Sequence, residues 1–378
     1  MIYELKQFDI PLIRFSADSG AEPNVRILWV NEAKKALFPL DLESVSKEGL
    51  ESWVRHRSIP KNRAYVDTIL SSMGLSINRP FEILRISKGL SLNDCYWVCE
   101  EGSEESFEQF NLYDNRFNRV LGEIAFTGYG SDGGRLSSSP EFTTNGALPK
   151  CWRRENGVIR LYKGGTSGAS NTGNEPYSEY YAAEIGTVLG VNSISYGVSK
   201  WKGTLCSTCD LFTSKEFSFV PVGRIVRTGG MKAVREYYET LGEEYVAALN
   251  DMIVFDAIIL NTDRHFGNFG FLVDNHSNTI VHPAPLFDHG NSLLNYAGEA
   301  ALADEVSILR YAETLQPCVY DDFIETAKQF LTHERRNNVR KLVEFKFRRH
   351  SKYNLPAKRL NMLEKVVQKQ AKMLLEEE

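Results

Sequence analysis

The sequence predicts a bilobal α+β fold: a strand-rich lobe with one helix, then a helical lobe carrying a polar hairpin, with an additional N-terminal α/β unit before both. Three observations predict it. Strand-like runs fill residues 142–165 and 193–226 and surround one helical stretch, YSEYYAAEIGTVLG (177–190). From Glu243 the apolar spacing turns helical. Within that helical part, NTDRHFGNFGFLVDNHSNTIVHPAPLFDHG (261–290) follows an apolar run with a polar turn, two short strands and a second polar turn. The boundaries drawn from these changes are 1–120, 121–230 and 231–378.

At 378 residues, with 42% hydrophobic and 25% charged residues, the chain can bury a sizeable core. A net charge of −5 argues against a general nucleic-acid binder. No apolar run approaches the ~18 residues of a membrane span. The start, MIYELKQFDI, has no basic stretch leading into an apolar one, so a cytoplasmic protein is expected. The six cysteines include one C-x-x-C, Cys206 and Cys209, with no second pair or neighbouring His. Reduced thiols are expected there, not a zinc or redox centre.

In the N-terminal unit, RILWV (26–30) reads as a strand, and LESVSKEGLESWVRHR (42–57) and KNRAYVDTILSSMGL (61–75) as helices. SLNDCYWVCE (91–100) reads as a strand that tucks Tyr96 and Trp97 inward. GYGSDGGRLSSSPEF (128–142) holds a formal G-x-G-x-x-G at Gly128, Gly130 and Gly133. No helix-forming sequence follows it, so a linker is expected.

FTTNGALPKCWRRENGVIRLYKGG (142–165) reads as a loop around Gly146, then a hairpin turning at ENG whose returning strand ends on Lys163. A lysine fixed there can meet nucleotide α/β-phosphates as a point charge. TSGASNTGN (166–174) reads as a mobile loop. The helix at 177–190 stops at Gly190 and carries Glu179 and Glu184, either of which can pair with Lys163. Three strand-like runs follow, the last of them (FSFVPVGRIV, 217–226) suited to a hinge.

The chemistry concentrates in 261–290. Asn268 follows Asp263 by five positions, and Asp288 lies beyond the hairpin. One carboxylate to orient or deprotonate a hydroxyl, an amide oxygen five residues on, and a second carboxylate beyond a hairpin suit phosphoryl transfer. The spacing is that of a protein-kinase catalytic loop and its metal-binding Asp. Arg264 and His265 can anchor this loop. After Leu294 the chain reads as helical almost to its end. Between Arg335 and Arg359, ten Lys/Arg stand against one acid, Glu344, with Phe345, Phe347 and Tyr353 interleaved. A solvated helix face or a nucleic-acid or partner surface would account for that pattern.

NTDRHFGN with APLFDHG, preceded by TTNGALPK, a strand ending LYK and the helix SEYYAAEIGTVLG, resembles the HipA-like serine/threonine kinases of bacterial toxin–antitoxin systems over about residues 140–320. The resemblance implies a protein-kinase-like (HipA/PI3-4-kinase-like) fold and transfer from ATP, with Mg2+, to a Ser or Thr of a cytosolic protein. Aminoacyl-tRNA synthetases are among the family's targets, and a small helix-turn-helix antitoxin often restrains its members and could present Arg348 and Arg349 to DNA. By the same resemblance, Asp263 is the catalytic base and Asn268 and Asp288 hold Mg2+. Lys163, Asn145 and Gly146 meet ATP, and Glu179 is the helix partner of Lys163. Thr143, three residues before Gly146, is the hydroxyl matching the family's autophosphorylated residue, a Thr where the family more often has Ser, with Thr144 and Ser137 to Ser139 as neighbouring alternatives. The D-R-H-x-x-N and D-x-G elements also resemble the phosphatidylinositol 3/4-kinase signature, so a lipid acceptor is one alternative. A catalytically dead nucleotide-, DNA- or partner-binding module is the other.

Overall fold

The computed structural model describes residues 1–18, 24–130, 138–167 and 173–376. Strands β1 (Ile2–Gln7), β2 (Ile10–Ser16) and β3 (Arg26–Val30) are followed by helices α1 (Lys47–His56), α2 (Val66–Ser71) and α3 (Pro80–Ser87). Next come β4 (Tyr96–Glu100), α4 (Phe107–Phe110), α5 (Arg119–Thr127), β5 (Lys150–Glu155), β6 (Val158–Gly164) and α6 (Glu175–Leu189). Strands β7 (Gly197–Trp201), β8 (Thr204–Asp210) and β9 (Phe217–Pro221) lead into α7 (Val222–Ile225), α8 (Gly230–Leu241) and α9 (Glu243–Ile259). The hairpin β10 (Gly270–Asp274) and β11 (Thr279–Pro283) precedes α10 (Glu305–Glu313), α11 (Phe323–Phe330), α12 (His333–Arg340) and α13 (Ala357–Leu375).

Packing divides the chain into two compact units. The first takes Met1–Lys163, Asp210–Val220 and Leu272–Val281; the second takes Gly164–Cys209, Pro221–Phe271 and His282–Glu378.

In the first unit, β3-β2-β1-β4 form an antiparallel sheet. Strand β4 sends Tyr96 and Val98 into a core shared with Leu5, Phe15 and Trp53. Its Trp97 and Cys99 enter a second core with Leu90, Phe107 and Leu112. Strands β1 and β2, not recognised beforehand, bury Tyr3, Leu5, Ile13 and Phe15 and carry the ion-paired Glu4, Lys6 and Arg14 at the alternating positions. Helix α1 starts at Lys47, later than the expected Leu42, because Ser46 accepts the Gly49 amide, and α3, unforeseen, starts at Pro80, a residue suited to a first turn. The linker reading around Gly128 is corrected in part: α5 precedes it, and Gly128 (φ +77°) is that helix's C-terminal cap. Gly133 of the G-x-G-x-x-G, Ser137, and residues 168–172 of the loop read as mobile, lie outside the described residues.

The hairpin β5–β6 turns as read, with Asn156 (φ +51°) and Gly157 (φ +84°) at its tip, the pair of left-handed residues that a tight hairpin turn favours. The β10–β11 tip is more than a turn, because its asparagines plug into the N-terminal fold. Gln7 donates to the Asn275 carbonyl (2.8 Å), while Asn278 Nδ2 donates to the Ala36 and Phe38 carbonyls (2.9 and 2.6 Å).

The second unit is built around α9, which packs against α6, α8, α11 and α13. From Met252 to Leu260 every residue is buried, so this end of the helix is apolar on all sides except for Asp256. Cys206 and Cys209 sit on β8 three residues apart, on opposite faces of the strand, so they cannot share a ligand. No helix among the described residues is long and apolar enough to cross a membrane.

The expectation of nearly continuous helix after Leu294 is not met. Between α12 and α13 the chain is neither helix nor strand: a turn at 341–344 leads into an irregular stretch with Phe345 and Phe347 buried and Lys346 and Arg348 exposed in alternation. A period of two is incompatible with a helix face. Phe347 packs on Tyr181 (ring centroids 4.7 Å apart), so Phe345 and Phe347 are core rather than a contact surface. Two of the ten cations are structural. Arg335 pairs with Asp251, and Arg359 is buried, donating to the carbonyls of Leu294, Asn295 and Ala297 (2.8–3.0 Å).

Candidate active site

Helix α9 ends on Leu260 in the left-handed region (φ +51°), which turns the chain sharply into the polar loop. Asn261 is fully buried there. Its Nδ2 donates to Asp256 (3.2 Å) and its Oδ1 accepts the Asp263 amide (3.2 Å). Two local turns follow, His265 N–H to the Asp263 carbonyl and Asn268 N–H to the His265 carbonyl, both 2.9 Å. They fold Asp263 and Asn268 back on each other, so that Asn268 Nδ2 donates to the Asp263 carbonyl at 3.2 Å.

Arg264 anchors this loop from inside. Its side chain is 1% exposed and grips the fully buried Asp256 carboxylate with two parallel bonds, Nε to Oδ2 at 2.9 Å and Nη2 to Oδ1 at 3.0 Å. Burial pushes the Asp256 carboxyl up, and the Arg264 charge beside it is the main opposing influence. The rest of the guanidinium faces the other half of the site. Nη1 donates to the Asn268 carbonyl (3.2 Å) and to the Phe287 carbonyl (2.6 Å), and Nη2 donates to His289 Nδ1 (3.0 Å). One buried cation therefore holds the backbone of Asn268 and that of the residue before Asp288.

Asp288 is positioned from a second side. Leu286 exchanges backbone bonds with Asn192 and Ile194 (2.8 and 3.0 Å), and the Asp288 amide donates to the Tyr196 hydroxyl at 3.0 Å. Desolvation, followed by the charge of Glu179, pushes the Tyr196 phenol well above its ordinary pKa, and Asp288 adds to this. Glu179 and Asp288 thus both lie within electrostatic reach of one tyrosine. Asp288 itself holds φ +59°, a conformation a non-glycine residue keeps only where its surroundings enforce it. Such residues cluster in this stretch: Leu260, Asp288, Leu293 and Leu294 all have positive φ.

Asp263 Oδ2 accepts Asn291 Nδ2 at 2.9 Å, whereas its Oδ1 accepts no bond from the described residues. Asn268, itself buried, spends its Nδ2 on the loop, and its Oδ1 accepts no hydrogen bond from the described residues. Hard oxygens of this kind suit Mg2+ better than a nitrogen- or sulfur-loving metal, so Asn268 and Asp288 fit the group. Glu179 is buried on α6 and accepts the Ser207 hydroxyl. Glu184 accepts the Arg348 amide at 2.9 Å and is thereby committed elsewhere. His265 is exposed and accepts the Gly267 amide, a local turn contact.

The first unit holds the remaining candidates. Asn145 and Gly146 are exposed at the tip of a loop, Gly146 at φ +94°. The buried Lys150 Nζ donates to the Asn145 carbonyl at 2.7 Å. Lys150 and Lys163 are direct cross-strand partners on one sheet face, and both are buried. Arg63 clamps the base of the loop, reaching Glu141 (2.8 Å) and the Thr144 and Lys150 carbonyls (3.0 and 2.8 Å). Thr143 is buried and donates to the Leu90 carbonyl at 2.9 Å.

Sequence reasoning missed Asp256, Asn261, Asn291, Tyr196, Lys150 and Arg63. Only Asp256 carried a signal, an acid inside the apolar run MIVFDAIIL. Gly223 was noted as a hinge residue, but it also meets the loop. Its amide donates to the Phe266 carbonyl at 2.9 Å, and a Cβ there would lie 2.9 Å from Phe266 Cβ. Gly223→Ala is expected to cost ~1–3 kcal/mol by overpacking. Chemical denaturation checks this, and an unchanged midpoint would mean that the Phe266 turn yields freely.

No family model and no curated protein matches the sequence. Among solved structures, the Helicobacter pylori proinflammatory kinase CtkA aligns with 18% identity and a TM-score of 0.49, covering 60% of this chain and 92% of its own. HipA of Shewanella oneidensis, solved with HipB and operator DNA, aligns with 13% identity and a TM-score of 0.55 over 99% of this chain and 96% of its own. Over essentially its whole length, therefore, the chain has the HipA-like kinase fold.

Proposed function

We propose that the protein is an ATP-dependent serine/threonine kinase that transfers a phosphoryl group to a hydroxyl of a cytosolic protein. The observation that carries this reading is the Arg264 guanidinium, which ties the backbones beside Asn268 and Asp288 together while Asp263 keeps one carboxylate oxygen open. In the proposed reaction, Asp263 Oδ1 accepts the hydrogen bond of the attacking hydroxyl, and Asn291 and Asn261 hold that carboxylate in place. Asn268 and Asp288 would hold Mg2+, which when bound would supply positive charge to the nucleotide phosphates. Lys163, with Lys150 beside it, supplies positive charge for the nucleotide phosphates, with Glu179 as the proposed partner of Lys163. Asn145 and Gly146 form the loop that covers the nucleotide. We place autophosphorylation at Thr143, which requires its buried loop to open first. By likeness to HipA, a small DNA-binding antitoxin is the proposed partner.

Incubating the full chain with labelled ATP and Mg2+ tests the activity. Label should appear on the chain itself or on lysate proteins, and its absence from a protein that binds ATP overturns the reading. Lys163→Met should weaken ATP binding by about tenfold to a hundredfold, the loss of one charge-assisted contact worth ~1.5–3 kcal/mol. Unchanged nucleotide affinity would remove Lys163 from the site.

A further inference from the structure

Within the first unit, the C-terminal end of α3 and the outer edge of β4 border a cleft of about 430 Å3 that the kinase chemistry does not use. The backbone on its strand side follows from the ladder. Phe8 N–H donates to the Cys95 carbonyl and Glu101 N–H to the Ile2 carbonyl (3.1 and 3.0 Å). Alternation along the β1–β4 pair then turns the polar groups of Val98 and Glu100 away from β1, toward the open edge. That edge is occupied on either side of one gap. Val98 N–H donates to the Lys88 carbonyl (2.7 Å), and the Glu100 carbonyl accepts Ser103 N–H (3.1 Å). Between them, the Glu100 N–H has no partner among the described residues.

The charges that line the cleft narrow its ligand. Lys88 and Glu105 neutralise each other at 2.6 and 2.7 Å, and Glu101 is held by Arg14 at 2.9 Å. Arg85 and Glu100 remain, both exposed, with no ion-pair partner among the described residues. Both act on Tyr3 in the cleft wall. Burial raises the pKa of that phenol, Glu100 raises it further and Arg85 lowers it. A simple anion entering here would meet Glu100, and a simple cation would meet Arg85, so a ligand carrying both charges fits best. The guanidinium fork matches a carboxylate, and the Glu100 N–H adds a second donor. We infer that this cleft binds a free α-amino acid with a polar side chain, its carboxylate on Arg85 and the Glu100 N–H and its ammonium on the Glu100 carboxylate. The site stands independently of the proposed kinase activity.

Glutamine is the probe, titrated calorimetrically into the full chain. Glutaminamide, which lacks the carboxylate, and N-acetylglutamine, which lacks the ammonium, are the controls. Glutamine should bind once per chain, about tenfold tighter than either control, the low end for one charge-assisted hydrogen bond. Arg85→Gln should bring glutamine down to the affinity of glutaminamide, and Glu100→Gln should bring it down to that of N-acetylglutamine. Both side chains are exposed, and thermal unfolding of each variant verifies its fold. Should either variant not fold, the order of the three ligands on the natural chain still decides. Lack of glutamine binding, equal affinity for the three ligands, or a folded variant that keeps the natural affinity overturns the proposal.

Discussion

Asp263→Asn should reduce phosphoryl transfer by about 10²–10⁴-fold, the contribution of one positioned general base, while leaving ATP binding and the unfolding midpoint nearly unchanged. The substitution keeps the shape of the side chain, and Asn291 can still meet its oxygen (2.9 Å in the natural chain). What changes is the open Oδ1 edge, which no longer presents a carboxylate to the acceptor hydroxyl. Single-turnover transfer with labelled ATP, alongside a nucleotide-binding titration, separates the two effects. Transfer at the natural rate would show that Asp263 does not act as base. Loss of ATP binding would show instead that it belongs to the nucleotide's support.

Arg264→Met should be the most damaging change to stability, costing ~3–5 kcal/mol, because it leaves the fully buried Asp256 carboxylate without its partner. The expected pH dependence follows from the direction of the Asp256 shift. Burial already raises its pKa, and without Arg264 only the weaker Asn261 bond opposes that rise. A carboxyl whose folded pKa lies above its unfolded value takes up more protons in the folded state. The variant should therefore lose stability as pH rises from the unfolded carboxyl pKa through the folded one, and regain part of it on acidification. Denaturation midpoints across that range check the sign. The double variant Asp256→Leu with Arg264→Met should recover much of the stability, since no buried charge remains. It should stay inactive, because the carbonyls of Asn268 and Phe287 lose their common tie. Activity in the double variant would mean that the ion pair is not what sets the loop geometry.

Local rules made several elements legible in advance. The α6 stop at Gly190, the ENG hairpin and the β10–β11 hairpin each depend on backbone preferences that residues carry with them: left-handed φ at Gly or Asn, and alternation along a half-covered strand. The spacing of Asp263, Asn268 and Asp288 was visible for a similar reason, since a short loop and a hairpin leave little freedom between them.

The first two strands and the C-terminal stretch were not legible. Strands β1 and β2 do alternate, with Tyr3, Leu5, Ile13 and Phe15 inward against Glu4, Lys6 and Arg14, but over short runs broken by Pro11 and by a bulge at Leu5 and Lys6. A run of basic residues reads as a solvated helix until Phe345 and Phe347 are seen turning inward. Along the chain, residue types and short spacings thus decided which groups could do chemistry, because turn propensity and charge belong to each residue. Long-range packing decided how they are held. The grip of Arg264 on Asp256, the seat of Asp288 on Tyr196 and the clamp of Arg63 around the Thr143 loop join residues 8 to 92 positions apart. No local preference encodes those distances. They arise when desolvation inside a closed core makes each buried charge and donor find a partner.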